Sequence, residues 1–441
     1  MVDTIDRDID KLIEIAKAID ACGGKTYFIG GFVRDKLMGL PNKDVDVEVH
    51  GVPVDVLRNL LEQFGEVITI GKSFGIYSIR GYDIDIAVPR KEKNTGRGHR
   101  DFEIYTDPFL GVETAARRRD FTINAMMQDV LTGEIVDCFG GQDDLEKGVL
   151  RHIDADSFVE DPLRVLRAAQ FAARFEYEVA DETVDLCRTI DLSALPSERV
   201  EGELRKALCK GRKPSLFFET LRKMNQLDCW FPELASLIGL QQDPVFHPEG
   251  DVWTHVMTVL DKAAAYRDQA SEPFRFMLVP LVHDLGKIET TEVVNGRIHS
   301  YQHEKVGVPI AECFVRRITN DTSIIRYVKN MTELHMRPNM VAYSKSSVKA
   351  NHAARIVRGV HIRPVLEVGG VPVALSVGDE QEIVVLVDED DGFAAPVCPF
   401  LADDDVQRIA EGVPRLGKGA DTQEERRGRG EESFGFHQID G

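Results

Sequence analysis

Tyr27-Phe-Ile-Gly-Gly-Phe-Val-Arg-Asp-Lys-Leu-Met-Gly-Leu-Pro-Asn-Lys-Asp-Val-Asp-Val-Glu-Val-His50 decides the fold, because it reads as strand, glycine turn, helix and strand in that order. Asp44 and Asp46 stand two apart where charged and apolar residues alternate, so both carboxylates project from one face of a half-buried strand. Carboxylates held that close repel unless a cation lies between them. Mg²⁺, which takes oxygen ligands and keeps phosphate oxygens in its shell, suits the place. Asp85, in Tyr82-Asp-Ile-Asp85, opens a further alternating strand and offers a third carboxylate. Three carboxylates on adjacent strands can hold two metals, one to acidify an attacking hydroxyl and one to hold a triphosphate and its leaving group. Gly30-Gly31 ends the first strand and starts a helix. Without Cβ atoms this turn lets phosphate approach the backbone N–H groups, and Arg34, one turn in, is a candidate charged donor. A lone Asp-x-Asp is usually surface decoration and a lone Gly-Gly usually a turn. In this order they favour nucleotidyl transfer.

Working outward, Ile9 to Cys22 has a helical apolar period, and Val54 to Phe64 reads as a second helix. Thr26–Ile29, Val67–Ile70, Gly75–Ile79 and Ile84–Val88 read as strands. Lys91 to Leu110 is polar with a basic start and is expected to be a mobile loop. From about Asp156 the pattern turns helical: Pro162–Phe175, Asp181–Ile190, Glu198–Cys209 and Leu216–Asn225 are amphipathic and separated by turn residues. Helices resume after His247-Pro-Glu-Gly-Asp, through Thr254–Tyr266, Met277–Leu285 and Val306–Ile318. The fold class expected is α+β: a mixed sheet with helices, then mostly α-helical domains.

Composition narrows the function. The 441 residues are 43% hydrophobic and 29% charged, ordinary for a globular chain and unlike a disordered one. No apolar run approaches the ~18 residues of a membrane span. Met1 to Asp10 lacks the apolar core of a secretory signal, and Cys22, Cys138, Cys187, Cys209, Cys229, Cys313 and Cys398 form no CxxC; a cytoplasmic chain is expected. The net charge of −20 argues at first against a polyanionic partner. Eleven acidic residues and no lysine or arginine fall between Pro364 and Gln407, however. Basic clusters at Arg90–Lys93, Arg117-Arg118-Arg119 and Arg205–Lys213 leave room for RNA on another face.

The Gly-Gly-Phe-Val-Arg-Asp and Asp-Val-Asp segments together resemble the class II CCA-adding enzyme and poly(A) polymerase family. The resemblance continues through Arg117-Arg-Arg-Asp-Phe-Thr-Ile-Asn-Ala-Met126, Asp137 to Leu145, Glu160-Asp-Pro-Leu-Arg-Val-Leu-Arg-Ala-Ala-Gln-Phe171 and Leu195-Pro-Ser-Glu-Arg-Val200, covering roughly residues 20 to 345. It implies a polymerase-beta-like head, Mg²⁺, and CTP, ATP and tRNA as partners, with no membrane. It assigns Arg119 and Asn124 to the phosphate and sugar of the incoming nucleotide, alongside Gly30, Gly31 and Arg34. Gln170 stands where many relatives carry arginine, which implies a weaker phosphate contact there.

Asp161, Arg164 and Arg167 recur every three residues and share a helix face. The plain reading is an exposed salt-bridge pair. The functional one is that Asp161 accepts from the exocyclic amino group of C or A while Arg164 donates to the adjacent ring nitrogen, a pattern that U and G reverse. In the resembling family these positions act as an amino-acid template.

His255, His283-Asp284, His303 and His335 form a second constellation. With Leu-Gly-Lys after His-Asp it resembles the HD superfamily of metal-dependent phosphohydrolases, which implies a second divalent metal held by these residues; the motif's usual closing aspartate has no assigned counterpart. Three functions remain: CCA addition to tRNA, an A-adding enzyme or poly(A) polymerase, or an HD phosphohydrolase with a nucleotide-sensing N-terminal half. The full-length Lys91–Leu110 segment disfavours a CC-only enzyme, and Ile70–Tyr77 lacks the Gly-Arg-Arg-Phe type of segment of bacterial poly(A) polymerases. Expected domains are a catalytic head at 1–145, a helical nucleobase-recognition and RNA-binding region at 146–240, an HD-type domain at 241–349 and an atypical acidic tail at 350–441. That tail reads either as an acidic extension or as the product of an altered reading frame near residue 350, with a β-type run at Val384–Val387 where a helix is expected; much of 350–441 is expected to be poorly ordered or loosely packed.

Overall fold

The computed structural model describes residues 2–42, 45–70, 75–94, 102–336, 373–376, 382–387 and 394–396. Residues 1–337 form one compact unit and 338–441 another.

The first unit begins with helix α1 (Val2–Ala21), whose Leu12, Ile15, Ala16 and Ile19 recur at helical spacing and are all buried. Strand β1 (Lys25–Ile29) runs into the Gly30 turn, helix α2 (Gly31–Leu37) and strand β2 (Val45–His50). Helix α3 (Val54–Leu61) leads to β3 (Val67–Ile70), β4 (Ile76–Ile79) and β5 (Ile84–Ala87). After β6 (Arg90–Asn94) and β7 (Phe102–Thr106) come α4 (Val112–Arg117), β8 (Met127–Asp129) and β9 (Ile135–Val136). Seven strands form one mixed sheet in the order β3-β4-β5-β2-β1-β8-β9. All neighbours are antiparallel except β2 and β5, which are parallel.

Alternation sorts the two faces. Val45, Val47 and Val49 of β2 and Ile84 and Ile86 of β5 point into a core closed by Leu12, Ile15 and Ile19 of α1 and Leu57, Leu60 and Leu61 of α3. Each such side chain contributes roughly 1.5–3 kcal/mol when fully buried. Asp46 and Asp85 sit between these apolar positions and are exposed on the opposite face.

The expected loop at Lys91–Leu110 is largely a hairpin. Strands β6 and β7 pair antiparallel from Arg90↔Thr106 to Asn94↔Phe102. Phe102-Glu-Ile-Tyr-Thr106 does alternate, but its partner Arg90-Lys-Glu-Lys-Asn94 is polar throughout, so the two-residue period is visible on only one of the two strands. A second hairpin, Thr291–Val294 with Arg297–Ser300, interrupts the helical region. Asn295 and Gly296, both with positive φ, make its turn.

Apart from a short parallel pairing of Val149–Leu150 with Glu178–Val179, the remainder of the unit is mainly helical. Leu163–Phe175, Ser197–Lys210, Ser215–Lys223, Val252–Ala264, Pro273–Val282, His303–Ile318 and Thr322–Leu334 are its main helices. In the second unit, Val373–Ser376, Glu382–Val387 and Ala394–Pro396 form an antiparallel three-stranded sheet, and the β-type run at Val384–Val387 lies in its central strand. The other expectations for 350–441 fall outside the described residues. Among those described, no helix is long and apolar enough to cross a membrane.

Candidate functional site

Parallel pairing puts Asp46 directly opposite Asp85, the two carboxylates side by side on neighbouring strands. Asp44 lies outside the described residues. Beside them, β1 ends at Gly30, which has φ 59, a left-handed conformation that favours glycine. A Cβ there would lie 3.0 Å from Nη1 of Arg119, so the missing side chain is what lets that guanidinium rest on the turn. Arg119 is half-buried and its Nη1 lies 3.5 Å from the Asn124 carbonyl. Gly31 begins α2 beside it.

Arg34 takes another course. It is 4% exposed, donates from Nη1 to Asn124 Oδ1 at 2.6 Å and from Nε to Asp35 Oδ1 at 2.8 Å, and stacks over the rings of Phe171 and Phe175. Burial lowers its guanidinium pKa from the ordinary value, with Asp35 opposing that shift. The side chain read as a phosphate donor therefore joins α2 to the helical region. Asn124 is buried as well and donates from Nδ2 to Asp120 Oδ1 at 2.9 Å. Asp120 accepts in turn from Arg167 Nε at 2.6 Å. Burial works against ionisation of Asp120, but the charge of Arg167 and hydrogen bonds from Asn124, Arg167 and the Phe121 N–H hold its carboxyl below the usual range. Buried Arg34, Asn124 and Asp120 and half-buried Arg167 thus form one chain of charge-assisted bonds linking the glycine turn to the 163–175 helix.

Just before that helix, Asp161 Oδ1 accepts the Leu163 N–H at 3.1 Å and Oδ2 takes a bond from Arg199 Nη2 at 3.0 Å. Arg164 donates to the carbonyls of Ser157 and Arg118 at 2.7 and 2.6 Å. The two are thus each held by other groups rather than spent on the plain i,i+3 pair. Gln170 is buried. Asp120 and Arg199 were within reach of sequence reading, since each sits in a segment that carries the family resemblance. Glu48 was not: nothing in an alternating strand marks one outward carboxylate as buried.

The histidines converge. His255 is on the helix Val252–Ala264, His283 and Asp284 follow the helix Pro273–Val282, His303 opens the helix His303–Ile318 and His335 follows Leu334. His283 Nδ1 lies 2.9 Å from the Pro280 carbonyl, His303 Nδ1 2.8 Å from that of Ser300 and His335 Nδ1 2.6 Å from that of Thr332. A carbonyl only accepts, so each Nδ1 carries the proton, and in the neutral ring Nε2 is left as a lone pair. The Nε2 atoms face Asp284: His303 at 3.2 Å and His335 at 3.7 Å from Oδ1, His283 at 3.3 Å and His255 at 3.5 Å from Oδ2. His303 and His335 Nε2 are 3.1 Å apart. Lone pairs gathered around a carboxylate at such distances suit a divalent cation. Glu249, which the sequence did not single out, accepts from His255 Nδ1 at 2.7 Å and fixes that ring in the same tautomer.

Electrostatics agree with the donor set. Burial pushes the imidazoles of His283 and His335 down, His335 to about 3, so the neutral, metal-binding form is favoured. Burial opposes ionisation of Asp284, but its interactions with His283 and with Lys287, whose Nζ is 2.8 Å away, outweigh that and hold its carboxyl well below the usual range.

Gly286 holds the cluster together. A Cβ there would lie 2.0 Å from the His303 carbonyl oxygen and 2.7 Å from the Gly307 N–H, both rigid backbone. Gly286→Ala is expected to cost about 1–3 kcal/mol by forcing the His303–Ile318 helix outward. Urea unfolding would measure it, and an unchanged midpoint would contradict that close approach.

The family model described as the poly A polymerase head domain matches residues 26–151. Among solved structures, a Thermotoga maritima CCA-adding enzyme complexed with tRNA superposes with a TM-score of 0.54 at 22% identity, covering 79% of this chain and 74% of that one. A CCA-adding enzyme complexed with ATP also gives 0.54 at 22%, covering 79% and 73%. In sequence, a multifunctional CCA protein from Aromatoleum aromaticum is 40% identical over 67% of this chain and 70% of its own length. Its counterpart from Chromobacterium violaceum is 39% identical over 71% of this chain and 77% of its own. With likeness of that extent, and with the head motifs arranged on the sheet as described, the chain belongs to the multifunctional CCA protein family.

Proposed function

We propose that the chain adds C, C and A, drawn from CTP and ATP, to the 3′ end of tRNA without a nucleic-acid template. The observation that carries this reading is the parallel register of Asp46 and Asp85 beside the Gly30 turn. Asp46 and Asp85, with Asp44, would hold Mg²⁺, which when bound supplies charge neutralisation at the triphosphate and a more acidic attacking hydroxyl. The Gly30-Gly31 turn receives the phosphates, and Arg119 lies against it to bind phosphate and sugar. Arg34 and Asn124 keep that arginine and the turn in place through the chain of bonds to Asp120 and Arg167. Asp161 accepts from the amino group of C or A, and Arg164 donates to the ring nitrogen. Incubating the protein with tRNA that ends at the discriminator base, one labelled nucleotide at a time, tests the whole. Sequential incorporation of C, C and A supports it; a run of A alone would favour an A-adding enzyme or poly(A) polymerase.

Base choice has its own test. Asp161→Ala is expected to let UTP or GTP be misincorporated, with about 1–3 kcal/mol of discrimination lost for the contact removed. A variant that stays selective for C and A would place the template elsewhere.

A second activity in the same chain is favoured by the four inward-facing histidine Nε2 atoms. His255, His283, Asp284, His303 and His335 would hold a divalent metal, which when bound polarises a phosphate ester and activates water. Lys287, buried beside Asp284, offers a donor for a phosphate oxygen. The paired Asp46 and Asp85 weigh against a head that only senses nucleotides. In this reading residues 1–145 are the catalytic head, 146–240 read base and RNA, and 241–349 are HD-type.

A further inference from the structure

Asp46, Glu48 and His50 succeed one another at steps of two on β2 and share its outer face. Asp46 is exposed, whereas Glu48 is fully buried at 0%. A buried carboxylate is costly unless it is paired, so its partners show what it holds. Glu48 Oε1 lies 3.0 Å from His50 Nε2, and Oε2 lies 3.4 Å from Arg118 Nη2. His50 Nδ1 lies 3.0 Å from the Leu110 carbonyl, and because both ring nitrogens face acceptors the ring bridges Glu48 and Leu110 as a double donor.

These contacts bracket one short element. Leu110 lies just before α4, and Arg118 just after it. Six residues make too short a helix to keep their own conformation, and Glu48 with His50 grips both ends. Beyond α4 lies the nucleotide apparatus: the Arg118 carbonyl takes the Arg164 bond, and Arg119 rests on the Gly30 turn.

We propose that Glu48 is a positioning residue for the incoming nucleotide: anchored on the metal-binding strand and braced by His50, it fixes the end of α4 so that Arg119 meets the phosphates and Arg164 meets the base. This rests on the reading of Arg119 and Arg164 as nucleotide contacts. Charge, not shape, does the holding, which separates the role from packing.

The test uses the full-length enzyme and steady-state addition to tRNA. Glu48→Gln keeps the shape and removes the charge; KM for CTP and ATP should rise about tenfold, kcat should change less, and UTP misincorporation should increase. Glu48→Asp, shorter but charged, should lie nearer the wild type than Glu48→Gln, whereas a steric role would reverse that order and overturn the proposal. Val49→Ala, which thins the core on the other face of β2, should lower the melting temperature and leave KM alone. An unchanged KM in Glu48→Gln, or a fall in kcat without a rise in KM, would also overturn it. Should Glu48→Gln fail to fold, Arg118→Met removes the same contact from the more exposed partner and must raise KM likewise; an unchanged KM there refutes the proposal. Arg119→Ala separates the two layers of argument. If it leaves KM unchanged, the nucleotide reading of Arg119 fails; if it raises KM while Glu48→Gln does not, the positioning role alone fails.

Discussion

Asp46→Ala is expected to abolish nucleotide addition and leave the fold intact. The side chain is exposed on its strand, so its loss opens no cavity, and Val45 and Val47 on either side keep their burial. What is lost, in the proposed reading, is a metal ligand. Phosphoryl transfer depends almost wholly on positioning and charge stabilisation, so several kcal/mol of transition-state stabilisation should go, a rate loss on the order of a thousandfold or more. Labelled-nucleotide incorporation measures the rate and thermal unfolding checks the fold. Incorporation near the wild-type rate would sink the two-metal reading.

Asp284→Asn is expected to empty the histidine cluster and silence it without touching nucleotide addition. The substitution keeps the side chain's volume beside Lys287 and removes the one carboxylate that the four Nε2 atoms face. Metal content of the purified protein, read by mass spectrometry, should fall, and metal-stimulated phosphatase or phosphodiesterase activity should drop on the order of a thousandfold. Full retention of bound metal would contradict the ligand assignment. If the unaltered protein hydrolyses nothing with Mg²⁺, Mn²⁺, Co²⁺ or Ni²⁺, the cluster is better read as a structural or RNA-binding module.

Much of the head was legible because its strands alternate: Asp46 and Asp85 each sit between buried aliphatic residues, and alternation alone puts them on one face. That they stand opposite one another was not legible, since register depends on how α3, β3 and β4 carry the chain from β2 to β5. Arg34 shows a different limit. Its place one turn into a helix beside two glycines suits a phosphate donor, yet Phe171 and Phe175, far along the chain, bring an aromatic face over it and Asn124 takes its guanidinium. Long-range packing of this kind is invisible to a local cue. The 291–300 hairpin, by contrast, has its signal in the sequence: Asn295-Gly296 is a strong turn pair, but Val293, Val294 and Ile298 are few and do not alternate. The histidine cluster was found by residue type, while its tautomers, and the place of Glu249, needed coordinates.

The parallel pairing of β2 with β5 has a consequence for how this protein tolerates sequence change. Adjacent strands lie about 4.8 Å apart whatever side chains they carry, because main-chain hydrogen bonds set that distance. Asp46 and Asp85 are mounted on that spacing, so the separation of their attachment points is a property of the peptide backbone and not of the packing around it. The aliphatic layer beneath can drift among valine, isoleucine and leucine, and the helices outside can be rebuilt, without recalibrating the gap between the two carboxylates. What the site cannot absorb is a one-residue slip of either strand, which would turn one aspartate into the oil and bring a valine or isoleucine up in its place.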